Sequence, residues 1–214
     1  MGKLLALLEA ESIKRGLVQP GQTLDAKTAF ELVRDMPYQR TSSRAPESIV
    51  QEWRGTCSGK HYLLDEIFRE KGLESKVIMC THRFTEETTA NFPPELREVV
   101  SKGPVPDVHT YIRLNTDAGW MTVDATWPTK AAPLGMTVNS DFQPGKDMAL
   151  ACDPIETYEV PEGRDPQGFK EELIESFCGS QTDDRDRFIN GMGEWLSKYA
   201  SKRGMGEWLS KYTS

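Results

Sequence analysis

The chain has 214 residues, 33 acidic against 26 basic side chains, and a net charge of −7. An acidic chain with no long basic stretch is a poor match for a phosphate backbone, which excludes nucleic acid as the main partner. No apolar run approaches the roughly 20 residues that span a bilayer, and a hydrophobic fraction of 37% with five Trp, eight Phe and six Tyr is enough to fill one core.

Residues 3–15 pattern as an amphipathic helix with Leu4, Leu7 and Leu8 on one side. Glu9 and Glu11 cut the apolar run too short for a signal-peptide core, and no small-residue cleavage site follows, so the expected compartment is the cytoplasm. Ala6 stands where a myristoylation site needs Ser or Thr. The four cysteines, Cys57, Cys80, Cys152 and Cys178, form no C-x-x-C pair and read as free thiols.

A turn at Gln19-Pro20-Gly21-Gln22 leads to a second helix, capped by Thr23 or Asp25 and ending before Pro37. A loop at 41–46 opens a short third helix through Ile49, Val50 and Trp53, with Pro46 near its first position. Next comes Trp53-Arg54-Gly55-Thr56-Cys57-Ser58-Gly59-Lys60-His61, where small residues deliver a cysteine to the first turn of a helix. Tyr62, Leu63, Leu64, Ile67 and Phe68 carry that helix to Gly72. Strands are expected at 73–84, 105–114, 120–125 and 155–160, with a short helix at 93–100 inside a polar insertion. Asn115-Thr116-Asp117-Ala118-Gly119 is turn chemistry and closes a hairpin between the second and third strands. Residues 128–153 read as loop with room for one short strand, and helices return at 166–178 and 183–200.

The tail repeats itself. Gly191-Met192-Gly193-Glu194-Trp195-Leu196-Ser197-Lys198-Tyr199 recurs at 204–212, a period of 13. On one helix that period turns the second Met, Trp, Leu, Tyr stripe roughly 220° from the first, so both cannot face one core. The first copy reads as docked; the second reads as a weakly attached duplicate or as a partner-binding helix. Residues 1–180 are expected to be one domain with its core at 45–130, and 181–214 a helical tail.

Three residues converge. A thiol at a helix start faces unpaired N–H groups and the positive end of the dipole, which favours the nucleophilic thiolate. His109 lies inside Val105-Pro106-Asp107-Val108-His109-Thr110-Tyr111-Ile112-Arg113-Leu114, a strand covered on both faces. Asp124 ends Gly119-Trp120-Met121-Thr122-Val123-Asp124-Ala125-Thr126-Trp127-Pro128, and the hairpin sets His109 opposite position 124 or 125. Cys57, His109 and Asp124 are therefore the candidate nucleophile, general base and orienting carboxylate of acyl transfer. The Cys57 N–H is one oxyanion donor, with Gln51 or Trp53 for the second, and Trp127 is a candidate for the cleft wall. Asp107 is the alternative partner of His109. His82 reads as an exposed polar residue, His61 as a histidine behind the site, and Trp120 and Trp127 as core.

Gly-Thr-Cys at a helix start, a following strand, a histidine in the next, and Gly-Trp-x-x-Val-Asp-Ala-Thr-Trp-Pro together resemble the transglutaminase-like superfamily of papain-like fold, over residues 50–128. The resemblance implies an α+β fold in which a helix bearing Cys57 packs on an antiparallel sheet bearing His109 and Asp124. It implies a thioester-forming hydrolase or acyltransferase acting on a peptide, a protein or a small amide, without cofactor or metal. No acidic cluster resembles the calcium sites of animal transglutaminases. Hydrolysis is expected over transfer of a Gln carboxamide to an amine, because water is the default acceptor unless a site excludes it. The rival from another class is a catalytically idle interaction module.

Overall fold

A computed structural model describes residues 2–212, with side chains through Tyr199. The protein is α+β: seven α-helices surround one four-stranded antiparallel sheet among the described residues. Helices α1 (Lys3–Lys14), α2 (Ala26–Asp35) and α3 (Pro46–Glu52) precede α4 (Cys57–Glu70), which is buried along most of its length. Strands β1 (Ser75–Phe84), β2 (Val105–Thr116), β3 (Gly119–Val123) and β4 (Glu156–Glu159) pair in the order β3-β2-β1-β4. Helix α5 (Pro94–Ser101) sits in the β1–β2 insertion, and α6 (Pro166–Cys178) and α7 (Thr182–Tyr212) follow β4. The 128–153 segment holds a 3-10 turn, Thr129–Leu134, and no strand.

Helix α4 packs on β1 and β2, with α1, α2 and α3 around it. Leu63, Leu64, Ile67 and Phe68 are completely buried, each worth about 1.5–3 kcal/mol of hydrophobic transfer. They meet Val77 and Met79 of β1 and Val108, Ile112 and Leu114 of β2 in the main core. The alternate β1 residues Ile78 and Cys80, with Tyr111, pack on the other face against Leu150 and Cys152. A second cluster joins Phe84, Leu96 and Trp127 to Phe188, Ile189, Met192 and Leu196 of α7, so the first copy of the repeat is docked. The side chains of the second copy, and with them the reading of its stripe, lie outside the described residues.

Polar ends are satisfied across elements. The Glu70 carboxylate at the end of α4 accepts from the Leu4 and Leu5 N–H groups at 3.0 and 2.8 Å, capping α1 from outside. Asp25, one of the two expected caps, accepts from Thr28 N at 2.7 Å. Gly59 is where α3 and α4 approach: a Cβ there would meet Ile49 Cδ1 at 2.4 Å. No helix among the described residues is long and apolar enough to cross a membrane.

Candidate active site

Helix α3 ends at Trp53, whose left-handed φ of 51° reverses the chain. Gly55 N–H then donates to the Pro37 carbonyl at 3.0 Å, and Thr56 leads into α4 without a side-chain cap. Cys57 is thus the first residue of a helix whose N-terminal N–H groups no side chain covers. Its residue is 5% exposed.

His109 Nε2 and Asp124 Oδ2 are 2.9 Å apart. The β2–β3 ladder ends at Ile112 opposite Val123, a register that would continue to set His109 opposite position 126 and not 124 or 125, and Asp124 lies just past the strand. Two backbone donors hold its carboxylate: Ala151 N–H to Oδ2 at 2.8 Å and Thr126 N–H to Oδ1 at 3.0 Å. Asn139 Nδ2 donates to the Asp124 carbonyl at 2.9 Å, fixing the backbone as well. With Nε2 committed to Asp124, Nδ1 is the nitrogen left for the thiol. Burial works against charge on both partners. The Asp124–His109 attraction outweighs it, holding Asp124 well below the carboxylate range and raising His109 well above the usual imidazole value.

His61 stands one turn after Cys57 and is fully buried. The Ala125 N–H donates to its Nε2 at 2.8 Å, so Nδ1 carries the proton and donates to the Cys57 carbonyl at 2.7 Å. Burial brings its pKa down to about 4 and keeps it neutral. Both ring nitrogens are occupied, which leaves none for a metal. Among the described residues no three His, Cys, Asp or Glu side chains group as a metal site.

Lys170 is the residue that sequence reasoning missed. Projecting from α6 and 1% exposed, it donates from Nζ to Ser58 Oγ at 2.7 Å and Thr110 Oγ1 at 3.0 Å, and lies 3.6 Å from Cys57 Sγ. A signal was present: Lys170, Ile174 and Cys178 form one buried stripe at a spacing of four. Burial alone raises the Cys57 thiol. The Lys170 ammonium and the His109 imidazole outweigh it and bring the pKa down to about 6.

Asp107 is engaged elsewhere. Arg185 Nε of α7 donates to its Oδ1 at 2.6 Å, and His82 Nε2 lies 3.4 Å from Oδ2. His82 is therefore buried at 3% exposure and not the exposed residue the sequence suggested, because Asp107 and the Phe84 ring cover it. Gln51 is not brought to the thiol: it is exposed on α3, and its carbonyl accepts from Arg15 Nη2 at 3.5 Å. The Trp53 ring lies under the Arg15 guanidinium at 4.8 Å and lines a separate groove of about 1040 Å3 against α2, a groove that does not include Cys57. Trp127 is buried against Tyr38, ring centroids 4.7 Å apart, and Tyr38 borders both that groove and the thiol's pocket. Trp120 is half-exposed on β3, an edge strand, with the Lys76 ammonium over its ring.

The pocket at Cys57 is small, about 10 Å3, and Lys170 of α6 and Arg185 of α7 line it. Comparison with family models, curated proteins and solved structures finds no match for this chain. Its chemistry is read from the geometry alone.

Proposed function

We propose that the chain is a cysteine-dependent acyl-transfer enzyme with a papain-like core at 45–130, related to the transglutaminase-like superfamily, and that Cys57, His109 and Asp124 carry the reaction. The observation behind the reading is His109: one ring nitrogen bonds a buried carboxylate and the other is left for a thiol at a helix start. In this scheme the Cys57 thiolate attacks a carbonyl carbon, and the helix-start N–H groups receive the oxyanion. His109 then returns a proton to the leaving group, while Asp124 holds the ring and stabilises its charged form. His61 fixes the Cys57 backbone without titrating in the neutral range.

The choice of acceptor shifts from the sequence expectation. Hydrolysis was favoured for want of a sign that water is excluded, and the thiol is 5% exposed with a buried amine beside it. Those two facts favour transfer to an amine over transfer to water. An extended peptide needs α6 to move before it reaches the sulfur. A short acyl donor needs less.

The test is the pH dependence of iodoacetamide labelling at Cys57. The wild-type rate is expected to reach half its maximum near pH 6, in line with the thiol's lowered pKa. His109→Ala is expected to move that midpoint upward. A midpoint near the ordinary thiol value of about 8.5, unchanged by His109→Ala, overturns the reading and leaves the interaction module standing.

A further inference from the structure

We infer that Lys170 is an internal acyl acceptor: an acyl group carried as a thioester on Cys57 passes to Lys170 Nζ and leaves an Nε-acyl-lysine on the chain itself. The inference rests on the reading of Cys57 as a nucleophile and goes beyond it. It adds a self-modification site and names the amine that ends the reaction.

Distance makes the first argument. Nζ is 3.6 Å from Sγ. A thioester carbonyl carbon bonded to that sulfur lies within the contact range where an aligned nucleophile reacts as if at very high effective concentration. Water is the competing acceptor, and Cys57, at 5% exposure, meets little of it in the free protein.

The charge environment makes the second. The charged groups acting on Lys170 are Cys57, Asp107, Arg185 and Arg44. Asp107 is already paired with Arg185 and faces His82, and Arg44 lies 3.5 Å from Glu171. Ser58 and Thr110 offer only neutral hydroxyls. The Cys57 thiolate, 3.6 Å away, is therefore the stronger of the two anions that stabilise the Lys170 ammonium in the free protein, with Asp107 the other. Acylation removes the thiolate. A buried cation that loses its nearest anion gives up its proton more readily, and His109, paired with Asp124, is placed to accept it. The amine is unmasked when the carbonyl arrives.

The steps balance. The thiolate displaces the donor's leaving group, which takes its proton from the His109 imidazolium. Lys170 ammonium passes one proton to the neutral imidazole. The free amine attacks the carbonyl carbon, the C–N bond forms and the C–S bond breaks. The second amine proton leaves to solvent, and the thiolate–imidazolium pair is restored beside an amide.

The probe is p-nitrophenyl acetate on the full-length folded chain, followed by nitrophenolate absorbance and peptide mass mapping. Expected in the wild type is a burst of up to two nitrophenolates per chain, with one hydroxylamine-resistant acetyl on Lys170 and a second on the regenerated Cys57 that neutral hydroxylamine releases. Cys57→Ser is expected to lose both, with surface lysines labelled at the same low level in either protein. In Lys170→Arg the burst is expected to slow, because the cation beside the sulfur is changed, and the acetyl that loads is expected to stay on Cys57, where neutral hydroxylamine releases it. A wild-type burst that leaves acetyl on Cys57 and none on Lys170 overturns this inference and leaves the cysteine mechanism intact. Acetylation of Lys170 at equal rate in Cys57→Ser overturns it too. No burst in the folded wild type overturns the cysteine mechanism and the inference with it.

Discussion

His61 hydrogen-bonds the carbonyl of Cys57, four residues back on the same helix, at 2.7 Å, and its other nitrogen takes the N–H of Ala125. One neutral ring thus ties the residue bearing the thiol to the segment bearing Asp124. His61→Ala leaves the buried Ala125 N–H unpaired, at a cost of about 1–3 kcal/mol, and takes the second hydrogen bond from the Cys57 carbonyl. Urea denaturation at neutral pH is expected to show that loss, and an unchanged midpoint contradicts the bridging role.

The same histidine gives the fold a pH signature. Its folded pKa is about 4, below that of the unfolded chain near 6.5. Between those values the unfolded state binds the extra proton, so stability rises with pH through this window and is fully present above it. The term is on the order of 3 kcal/mol. His109 has the opposite sign: its raised pKa contributes stability below about 6.5 that is lost at higher pH. His61→Asn is expected to flatten the wild-type gain in urea midpoint between acid and neutral pH. Equal slopes in the two proteins argue against a neutral buried His61.

Lys170→Met removes the strongest influence lowering the Cys57 pKa and leaves the burial that raises it. The iodoacetamide midpoint is expected to climb by about 1–3 pH units. Lys170→Arg keeps the charge and is expected to shift it less. A Met variant that still labels half-maximally near pH 6 shows that the lysine does not act on the sulfur.

Asp124→Asn keeps the shape and removes the charge beside His109. The nitrophenolate burst is expected to slow by about 10^2–10^4-fold, because the imidazolium loses its partner and the ring its orientation. A rate within a few-fold of wild type in a folded variant assigns the orienting role elsewhere.

Gly59→Val drives a side chain into Ile49, where a Cβ already comes within 2.4 Å. Overpacking of this kind costs about 1–3 kcal/mol. Thermal denaturation is expected to show the loss, and Ile49→Ala in the same chain to restore part of it. No coupling between the two changes rules out the contact as the cause.

The elements were legible because their signals are local. The helical stripe 62–68, the Gly72 stop and the 115–119 turn each fix an element without reference to the rest of the chain. The hairpin made it legible that Asp124 comes near His109, but not in the expected register: the ladder stops at Ile112 opposite Val123, and Asp124 reaches His109 from beyond the strand end. Lys170 was not, because a lysine in an apolar stripe reads as a flaw until the sulfur that accounts for it, 113 residues earlier, is seen beside it. His82 was misjudged for the same reason: its cover comes partly from Asp107 on the neighbouring strand. Gln51 was proposed from proximity in sequence, but a helix turns neighbours away from each other, and α3 points it outward.

The chain supplies these groups in a fixed order: sulfur at 57, imidazole at 109, carboxylate at 124, ammonium at 170. A polypeptide growing from its N-terminus therefore owns every part of its acid–base pair before it owns the cation that sharpens the thiol. The cover of the Cys57 sulfur and one of the two groups that lower its pKa come from α6 and α7, the last elements to be made, so on the proposed reading synthesis separates making the nucleophile from completing its surroundings.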